Sequence, residues 1–363
     1  MRVLLSGAAG FIGGAVRATL QSRGHDVVAL DALIPQAHGD RADPVHDGLH
    51  QVDVRDHDAV VALLGGIDVV CHQAAMVGAG LTPADLPLYA SHNDLGTAVV
   101  LAAMAEAGVD RLVFASSMVV YGDGRYTCRQ HGGQPATTRT IQALEEGSFE
   151  VGCPVCREPM SWALVDEAAR LLPRSSYAAS KVAQEHYAIA WARQLPGAAI
   201  GLRYHNVYGP GMPADTPYSG VAAMFRSALA RGDAPTVYED GRQMRDFVHV
   251  SDVARANALA VEQVADLPSD TFAAYNICSG QPVAIAEVAT IIAAAGDNAP
   301  APVVTGQFRS GDVRHIVASP DLARAELGFT ATVSPLDGLA AFADAPLRHR
   351  CPDSSDWLRG LLG

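Results

Sequence analysis

Residues 2–14 are RVLLSGAAGFIGG, a short apolar run followed by a glycine-rich turn and the start of a helical pattern. The glycines fall between the predicted strand and the predicted helix, where the lack of a side chain lets the backbone approach a pyrophosphate. The free N–H groups at the helix N-terminus would then bind that pyrophosphate. The pattern predicts a dinucleotide-binding site. Its candidate residues are Gly7, Gly10, Phe11, Ile12 and Gly13.

Four more apolar runs repeat this arrangement, and helix-like segments separate them. They are HDVVALD (25–31), LHQVDVRD (49–56), DVVCHQAA (68–75) and RLVFASS (111–117). Strands that alternate with helices are typical of a parallel sheet covered on both faces. The sequence therefore predicts an α/β fold with a doubly wound parallel (Rossmann) sheet.

Asp31 ends the second apolar run, which is where such sheets place the acidic residue that binds the ribose of the cofactor. A carboxylate there would bind the ribose hydroxyls and repel a 2′-phosphate. We therefore expect NAD rather than NADP. The alternative is that Asp31 only begins a turn, which would remove the preference between the two cofactors but leave the fold prediction unchanged.

Composition excludes several classes of protein. The net charge is −13 and no cluster of basic residues is present, so a nucleic-acid partner is not expected. No run of eighteen apolar residues could span a membrane. The chain opens directly on a predicted strand, so we expect no signal peptide. Six cysteines without an export signal indicate reduced thiols and a cytoplasmic location.

The pattern of apolar runs changes along the chain. Residues 1–203 carry the strand–helix alternation and are predicted to form the Rossmann domain. Stretches rich in proline and glycine follow, so 204–363 are predicted to form mainly a smaller substrate-binding lobe, with some segments returning to the main sheet. Residues 125–173 contain few apolar runs and three of the six cysteines, and we interpret them as an insertion.

Tyr177 and Lys181 lie four residues apart in SSYAASKVAQEHY, and therefore on one face of the predicted helix. Lys181 is the only lysine in a chain with 25 arginines. A tyrosine that ionises near neutral pH needs about 4 kcal/mol of stabilisation. A cation about 5 Å away supplies roughly 3 kcal/mol. The positive ring of oxidised nicotinamide would supply the rest, so the pair predicts hydride chemistry beside NAD⁺.

Together these and later motifs resemble a known family. The motifs are GAAGFIG, DVRD, HQAA, ASSMVVYG, YAASK, RYHNVYGPG, RDFVHVSD and YNICSG. The chain resembles the extended short-chain dehydrogenases/reductases of the nucleotide-sugar epimerase/dehydratase branch, from Met1 to about Asp337, with the insertion as the interruption. Within that branch it is most similar to the subgroup with dTDP-L-rhamnose 4-epimerase activity.

The resemblance implies roles for further residues. On the cofactor side, Asp53 and Val54 would contact the adenine, Ala74 would line the cofactor cleft and Asn93 would anchor the central helix. On the substrate side, Ser117 would bind the sugar O4, Asn206 would hold the diphosphate of a nucleotide-sugar, and Arg245 and Arg309 would clamp it. The alternative for the two arginines is ordinary surface salt bridging. The resemblance also implies a homodimer.

Met118 and Val119 mark a departure from the dehydratases and decarboxylases of this branch, which carry acidic residues here. Neither side chain can transfer a proton, so elimination is not expected. The remaining prediction is reversible 4-epimerisation of a dTDP- or UDP-sugar through a transient 4-keto intermediate, with tightly bound NAD. The alternatives are an NAD(P)H-dependent 4-ketoreductase and a non-catalytic NAD sensor.

Two pairs of candidate metal ligands lie in the insertion. Cys128 and His131 have two residues between them, as do Cys153 and Cys156, and 21 residues separate the pairs. Three thiolates and one imidazole would complete a tetrahedral shell, so the spacing predicts a closed, structural zinc-knuckle-like site. The alternatives are a thioredoxin-like redox couple at a helix N-terminus and a loop with unliganded thiols.

Overall fold

The computed structural model describes residues 1–38, 48–78, 80, 82–214, 220–296 and 299–348. Fifteen strands occur in this part of the chain. They are β1 (Arg2–Ser6), β2 (Asp26–Asp31), β3 (Leu49–Gln51), β4 (Val69–His72), β5 (Arg111–Ser117), β6 (Arg125–Cys128), β7 (Gly132–Gln134), β8 (Ser161–Ala163), β9 (Ala198–Tyr204), β10 (Asn206–Tyr208), β11 (Thr236–Val237), β12 (Met244–His249), β13 (Thr271–Ile277), β14 (Pro282–Ala284) and β15 (Val303–Val304).

Twelve α-helices occur in the same described residues. They are α1 (Phe11–Ser22), α2 (Pro35–His38), α3 (His57–Leu63), α4 (Leu86–Tyr89), α5 (Gly96–Ala107), α6 (Ile141–Glu145), α7 (Ser176–Gln194), α8 (Val221–Ala230), α9 (Val250–Val264), α10 (Ile285–Ala295), α11 (Asp321–Glu326) and α12 (Pro335–Phe342). A π-helical turn at Ala90–Leu95 leads into α5. None of the helices described is long and apolar enough to cross a membrane.

Seven strands form the central sheet, in the order β13-β9-β5-β4-β1-β2-β3, and every pairing in it is parallel. One apolar core joins α1 and α9 to one face of this sheet. A second core joins α3, α5 and α7 to the other face. The predicted α/β, doubly wound parallel sheet is therefore confirmed. The order reverses between β1 and β4, and the carboxyl ends of these two strands open the crevice where such sheets bind ligands.

A smaller layer covers the carboxyl edge of the sheet. Strands β10, β12 and β14 form a three-stranded sheet, and β11 pairs with β15. Helices α8, α10 and α12 pack with them around a third apolar core. Both α9 and β13 come from beyond residue 203 yet pack on or join the central sheet. The division into 1–203 and 204–363 stays a prediction.

The segment 125–173 has its own small structure. Strands β7, β6 and β8 form an antiparallel sheet, and α6 lies in the connection between β7 and β8. A core of five buried side chains holds it together. These are Tyr126, Cys128, Val151, Cys153 and Met160. A core this small gives an ordered segment little stability of its own, so contacts to the rest of the chain become important.

Candidate active site

A large cavity opens at the carboxyl edge of the central sheet, between it and the smaller layer. Ten of the sixteen predicted catalytic, cofactor and substrate residues line it. Those that line it are Gly7, Gly10, Phe11, Ile12, Gly13, Ser117, Tyr177, Asn206, Arg245 and Arg309. The six that are not part of its lining are Asp31, Asp53, Val54, Ala74, Asn93 and Lys181.

The turn between β1 and α1 needs glycine for reasons of space. Gly7 has a φ of +69°, and a Cβ there would lie 2.7 Å from the backbone nitrogen of Ala74. A Cβ on Gly13 would collide with the carbonyl oxygen of Gly7. Gly10 caps α1 without a side-chain hydrogen bond, and the first turn of the helix contains no acidic residue. The N-terminus of α1 therefore presents backbone donors to the cavity, as an anion site requires.

Asp31 lies buried at the end of β2, beside this turn. Its carboxylate accepts hydrogen bonds from the backbone N–H groups of Ala9 (3.0 Å) and Leu33 (2.9 Å), and its Oδ1 lies 3.2 Å from His38 Nε2. Burial alone would raise the pKa of this carboxyl, but the hydrogen bonds from His38 and the backbone outweigh it and hold the pKa below its ordinary value. A negative charge is thus fixed next to the glycine-rich turn.

Three other predicted cofactor residues, Asp53, Val54 and Asn93, make contacts within the protein. Asp53 is paired with Arg55, with 2.6 Å between Oδ2 and Nη2, and Val54 packs against Gly96. Asn93 is fully buried and exchanges two hydrogen bonds with the backbone of Met76, at 2.7 and 2.9 Å. Its Nδ2 also donates to Ser180 in α7, at 2.9 Å. Asn93 therefore joins the segment after β4 to α7.

Ser117, Tyr177 and Lys181 come together where β5 ends and α7 begins. The Ser117 hydroxyl lies close enough to that of Tyr177 to lower the pKa of the tyrosine. Lys181 is buried behind the tyrosine, with its Nζ 5.8 Å from the centre of the Tyr177 ring and donating to the Ala115 carbonyl at 2.9 Å. Ser175 caps α7 by accepting a hydrogen bond from the N–H of Ala178, which fixes the first turn. The helix thus presents the tyrosine to the cavity.

The pKa values of Tyr177 and Lys181 do not by themselves favour an ionised tyrosine. Burial raises the pKa of Tyr177 above its ordinary value, although the Ser117 hydroxyl opposes the shift. Burial also lowers the pKa of Lys181 to about 7, against the attraction of Glu185. The charge of Lys181 favours a phenolate, but the loss of water around both groups opposes it. The chain's own residues position the tyrosine, and a further positive charge is needed to ionise it.

Three further predicted substrate residues come from other elements: Asn206 begins β10, Arg245 lies in β12 and Arg309 follows β15. Arg245 donates to the carbonyls of Met244, Val313 and Arg314, at 2.6 to 2.9 Å, which orders the segment after β15. The guanidinium of Arg309 lies 5.0 Å above the ring of Tyr238. Within the described ranges neither arginine forms an ion pair, so the alternative of ordinary salt bridging has no support there.

The wall beside Ser117 is apolar. Met118 and Val119 line the cavity directly after β5. Two carboxylates line it elsewhere, on the segments after β11 and β15. Of these, Glu239 is paired with Arg139 and Arg314, at 2.7 and 2.8 Å. Sequence alone gives no sign of this pairing, because its members are far apart in the chain.

The four predicted metal ligands meet in the insertion. The ligand atoms of Cys128, His131, Cys153 and Cys156 all lie within 4.8 Å of one another. Cys128 Sγ is 3.4 Å from His131 Nδ1 and 3.7 Å from Cys156 Sγ. Zinc–sulfur bonds of about 2.3 Å in a tetrahedron place ligands about 3.8 Å apart, so the cluster has the size of a zinc site. The segment Cys153–Cys156 forms a turn and does not begin a helix, unlike a thioredoxin-like couple.

Comparison with known proteins gives a consistent result. The NAD dependent epimerase/dehydratase family matches residues 3–141 and 161–278, and the gap falls inside the insertion. A dTDP-L-rhamnose 4-epimerase of Burkholderia thailandensis is 34% identical over 340 residues, covering 90% of each chain. A Thermus thermophilus UDP-glucose 4-epimerase in complex with NAD is 30% identical with a TM-score of 0.73, covering 95% of this chain and 98% of that one. MoeE5 in complex with UDP-glucuronic acid and NAD has the same identity, TM-score and coverage.

Proposed function

The chain belongs to the NAD-dependent epimerase/dehydratase family, and from this we propose that it is a nucleotide-sugar 4-epimerase that keeps NAD bound throughout its cycle. The family membership agrees with the motifs GAAGFIG and YAASK. Relatives over about nine-tenths of the chain are named as 4-epimerases of sugars linked to dTDP or UDP. The ketoreductase and the sensor have no comparable support.

The residues around the glycine-rich turn fit NAD. Gly7 and Gly13 allow the turn to pack closely against the backbone of Ala74 and of Gly7, and the N-terminus of α1 would bind the pyrophosphate. Asp31 would bind the ribose hydroxyls, while Asp53, Val54, Ala74 and Asn93 would shape or support the adenine end. When bound, NAD accepts a hydride from the sugar and later returns it, and its oxidised ring supplies positive charge.

The proton chemistry falls to the chain itself. Tyr177 would take the proton of the sugar O4 as the hydride leaves C4, with Ser117 holding the same oxygen. The 4-ketose would then turn over in the cavity, receive hydride on its other face and regain its proton from Tyr177. Lys181 would stabilise the phenolate from behind the ring. The positive charge of the oxidised nicotinamide would offset the cost of burying that phenolate.

One observation carries the choice of epimerisation over elimination. The hydroxyl pair of Ser117 and Tyr177 faces a wall formed by Met118 and Val119, which contain no acid or base. Without such a group, the proton at C5 stays in place and the hydride can only return to C4. Asn206, Arg245 and Arg309 would hold the diphosphate. We take dTDP-L-rhamnose as the first substrate to test, because of the relative from Burkholderia thailandensis.

The test is incubation of purified protein, without added cofactor, with a panel of dTDP-, UDP- and GDP-sugars. Proton NMR should show inversion at C4 for at least one sugar. The Tyr177→Phe protein should fold, retain NAD and show no inversion. A requirement for one equivalent of NAD(P)H per turnover would instead support the ketoreductase.

For the insertion we propose a structural zinc ion held by Cys128, His131, Cys153 and Cys156. The support is the size of the cluster and its three thiols. Four protein ligands would leave no position for a reactive water, so the ion would take no part in the chemistry. Elemental analysis should find about one zinc per chain. The Cys153→Ser, Cys156→Ser protein should lose it, and Cys278→Ala, which alters an isolated buried cysteine, should keep it.

We further propose a cytoplasmic homodimer in which residues 1–203 form the Rossmann domain and 204–363 mainly the substrate lobe. The free thiols among the described residues are in keeping with this location. Light scattering coupled to size-exclusion chromatography would measure the oligomeric state. A mass of one chain, about 37.9 kDa, would contradict the dimer.

A further inference from the structure

His205 has an unusual environment in the cavity wall. It directly follows β9, whose last residue, Tyr204, is the register partner of Ser117. The side chain is only 3% exposed and lines the cavity. Among the residues that the structure describes, neither ring nitrogen of His205 has a hydrogen-bond partner. Its backbone is fixed, because its N–H donates to the carbonyl of Ile277 at 3.1 Å.

Burying both ring nitrogens without a hydrogen-bond partner destabilises the protein unless a bound ligand supplies the partner. A buried polar group without a partner costs about 1–3 kcal/mol. The neighbouring Asn206 also lines the cavity, and its buried Oδ1 is likewise unpartnered within the described chain. Two adjacent polar side chains on one wall, next to the end of β5, indicate a ligand group at that place.

The charge of the ring limits what that group is. Burial and, to a smaller extent, the nearby Arg245 lower the pKa of His205 to about 3, so the ring is neutral at physiological pH. A neutral imidazole offers one donor and one acceptor. A diphosphate only accepts hydrogen bonds and is better matched by arginine. A hydroxyl both donates and accepts, as the ring does.

We propose that His205 binds a hydroxyl of the sugar other than the reacting O4, and so selects which sugars are turned over. The register places His205 one residue beyond the partner of Ser117, which is the residue proposed to hold the sugar O4. The inference deepens the proposed function and rests on it, since the ligand is the sugar of a nucleotide-sugar. His205 lies outside the two motifs, GAAGFIG and YAASK, on which the proposed function rests.

Calorimetry on the full-length, NAD-loaded protein separates the possibilities. The probes are dTDP and dTDP-L-rhamnose, with UDP and UDP-glucose as a second series. In His205→Phe, affinity for the nucleotide-sugar should fall about tenfold or more, as loss of a buried hydrogen bond predicts. Affinity for the nucleoside diphosphate alone should change less than about twofold by the same reasoning. In His205→Gln, which keeps a donor and an acceptor, much of the lost affinity should return.

Deoxy-sugar analogues identify the hydroxyl. The wild-type protein should bind the analogue lacking the recognised hydroxyl as weakly as His205→Phe binds the intact sugar, and His205→Phe should lose nothing further on that analogue. Equal losses for diphosphate and nucleotide-sugar, or no loss for either, would overturn the assignment of His205 alone. A wild-type protein that binds none of the four probes would overturn the proposed function as well.

Discussion

Replacing Arg139 with methionine tests whether a buried ion pair holds the insertion against the cavity. Arg139 Nη1 lies 2.7 Å from Glu239 Oε1, and their side chains are only 8% and 3% exposed. Removing one member of a buried pair costs about 3–5 kcal/mol, because the other charge is left without its partner. Glu239 keeps Arg314 at 2.8 Å, so we expect the lower end, about 3 kcal/mol.

Hydrogen–deuterium exchange of peptides from 125–173 measures this directly. A loss of about 3 kcal/mol corresponds to roughly 150-fold faster exchange through local opening. The KM for the nucleotide-sugar should also rise, because Arg139 Nη2 donates to the carbonyl of Asp312 in the cavity wall, at 2.6 Å. The kcat should change less, since none of the reacting groups lies in the insertion.

Arg125→Met is the matched control. Its Nη1 lies 2.7 Å from Asp166 Oδ2, the same distance as in the buried pair, and both residues belong to the insertion. These side chains are 44% and 46% exposed, so the pair should contribute no more than about 1 kcal/mol. Equal effects of the two substitutions on exchange would refute the argument from burial.

Three further predictions concern other charged groups. Lys181→Met should lower kcat about 100-fold, because an ammonium 5.8 Å from the centre of the Tyr177 ring would stabilise the phenolate by roughly 3 kcal/mol at an effective dielectric of about 20. Lys181→Arg should not restore the rate, since a guanidinium is larger and shaped differently; substantial activity by NMR would contradict this. Asp31→Asn should weaken NAD binding and reduce the discrimination against the 2′-phosphorylated cofactor, as measured by calorimetry. Burial would raise the pKa of Glu150, but hydrogen bonds from His315 and Arg314 outweigh it and lower that pKa to about 2. The stabilisation is therefore complete above the ordinary carboxyl pKa of 4.5 and is lost as the pH falls towards 2, and Glu150→Gln should abolish this acid dependence of exchange in the insertion.

The central sheet could be predicted because its signals are local. The run RVLLS coincides with β1, and the run ending on Asp31 contains β2. Buried parallel strands need continuous apolar residues, and the turn after β1 admits only glycine at its closest approaches. The cluster that contains Cys128 and Cys153 could also be predicted from sequence, because each half of it is a pair of residues close together in the chain.

The rest could not be predicted, because it depends on which distant residues meet. Arg314 is fully buried and binds Glu150, Glu239 and Asp240, which lie 164, 75 and 74 positions away. No period or spacing encodes such a network. The lack of a partner for His205 is likewise a property of the packed wall, and sequence shows only a polar residue inside a motif.

The insertion links the cysteine cluster to the substrate side of the cavity. The hydroxyl of Tyr126, two residues before Cys128, accepts a hydrogen bond from the backbone N–H of His315, at 3.1 Å. Glu150, three residues before Cys153, binds the side chains of Arg314 and His315. Residues next to both halves of the cluster are thus hydrogen-bonded to the segment that follows Arg309.

The cofactor side draws its contacts from other parts of the chain. Gly7 packs against Ala74, and Asp31 is bound by Ala9, Leu33 and His38. Five buried side chains are too few to keep the insertion ordered, so its order would depend on the metal and the buried ion pairs. Loss of the metal should therefore raise the KM for the nucleotide-sugar while NAD stays bound. Release of NAD together with zinc would mean that the insertion supports the whole cavity.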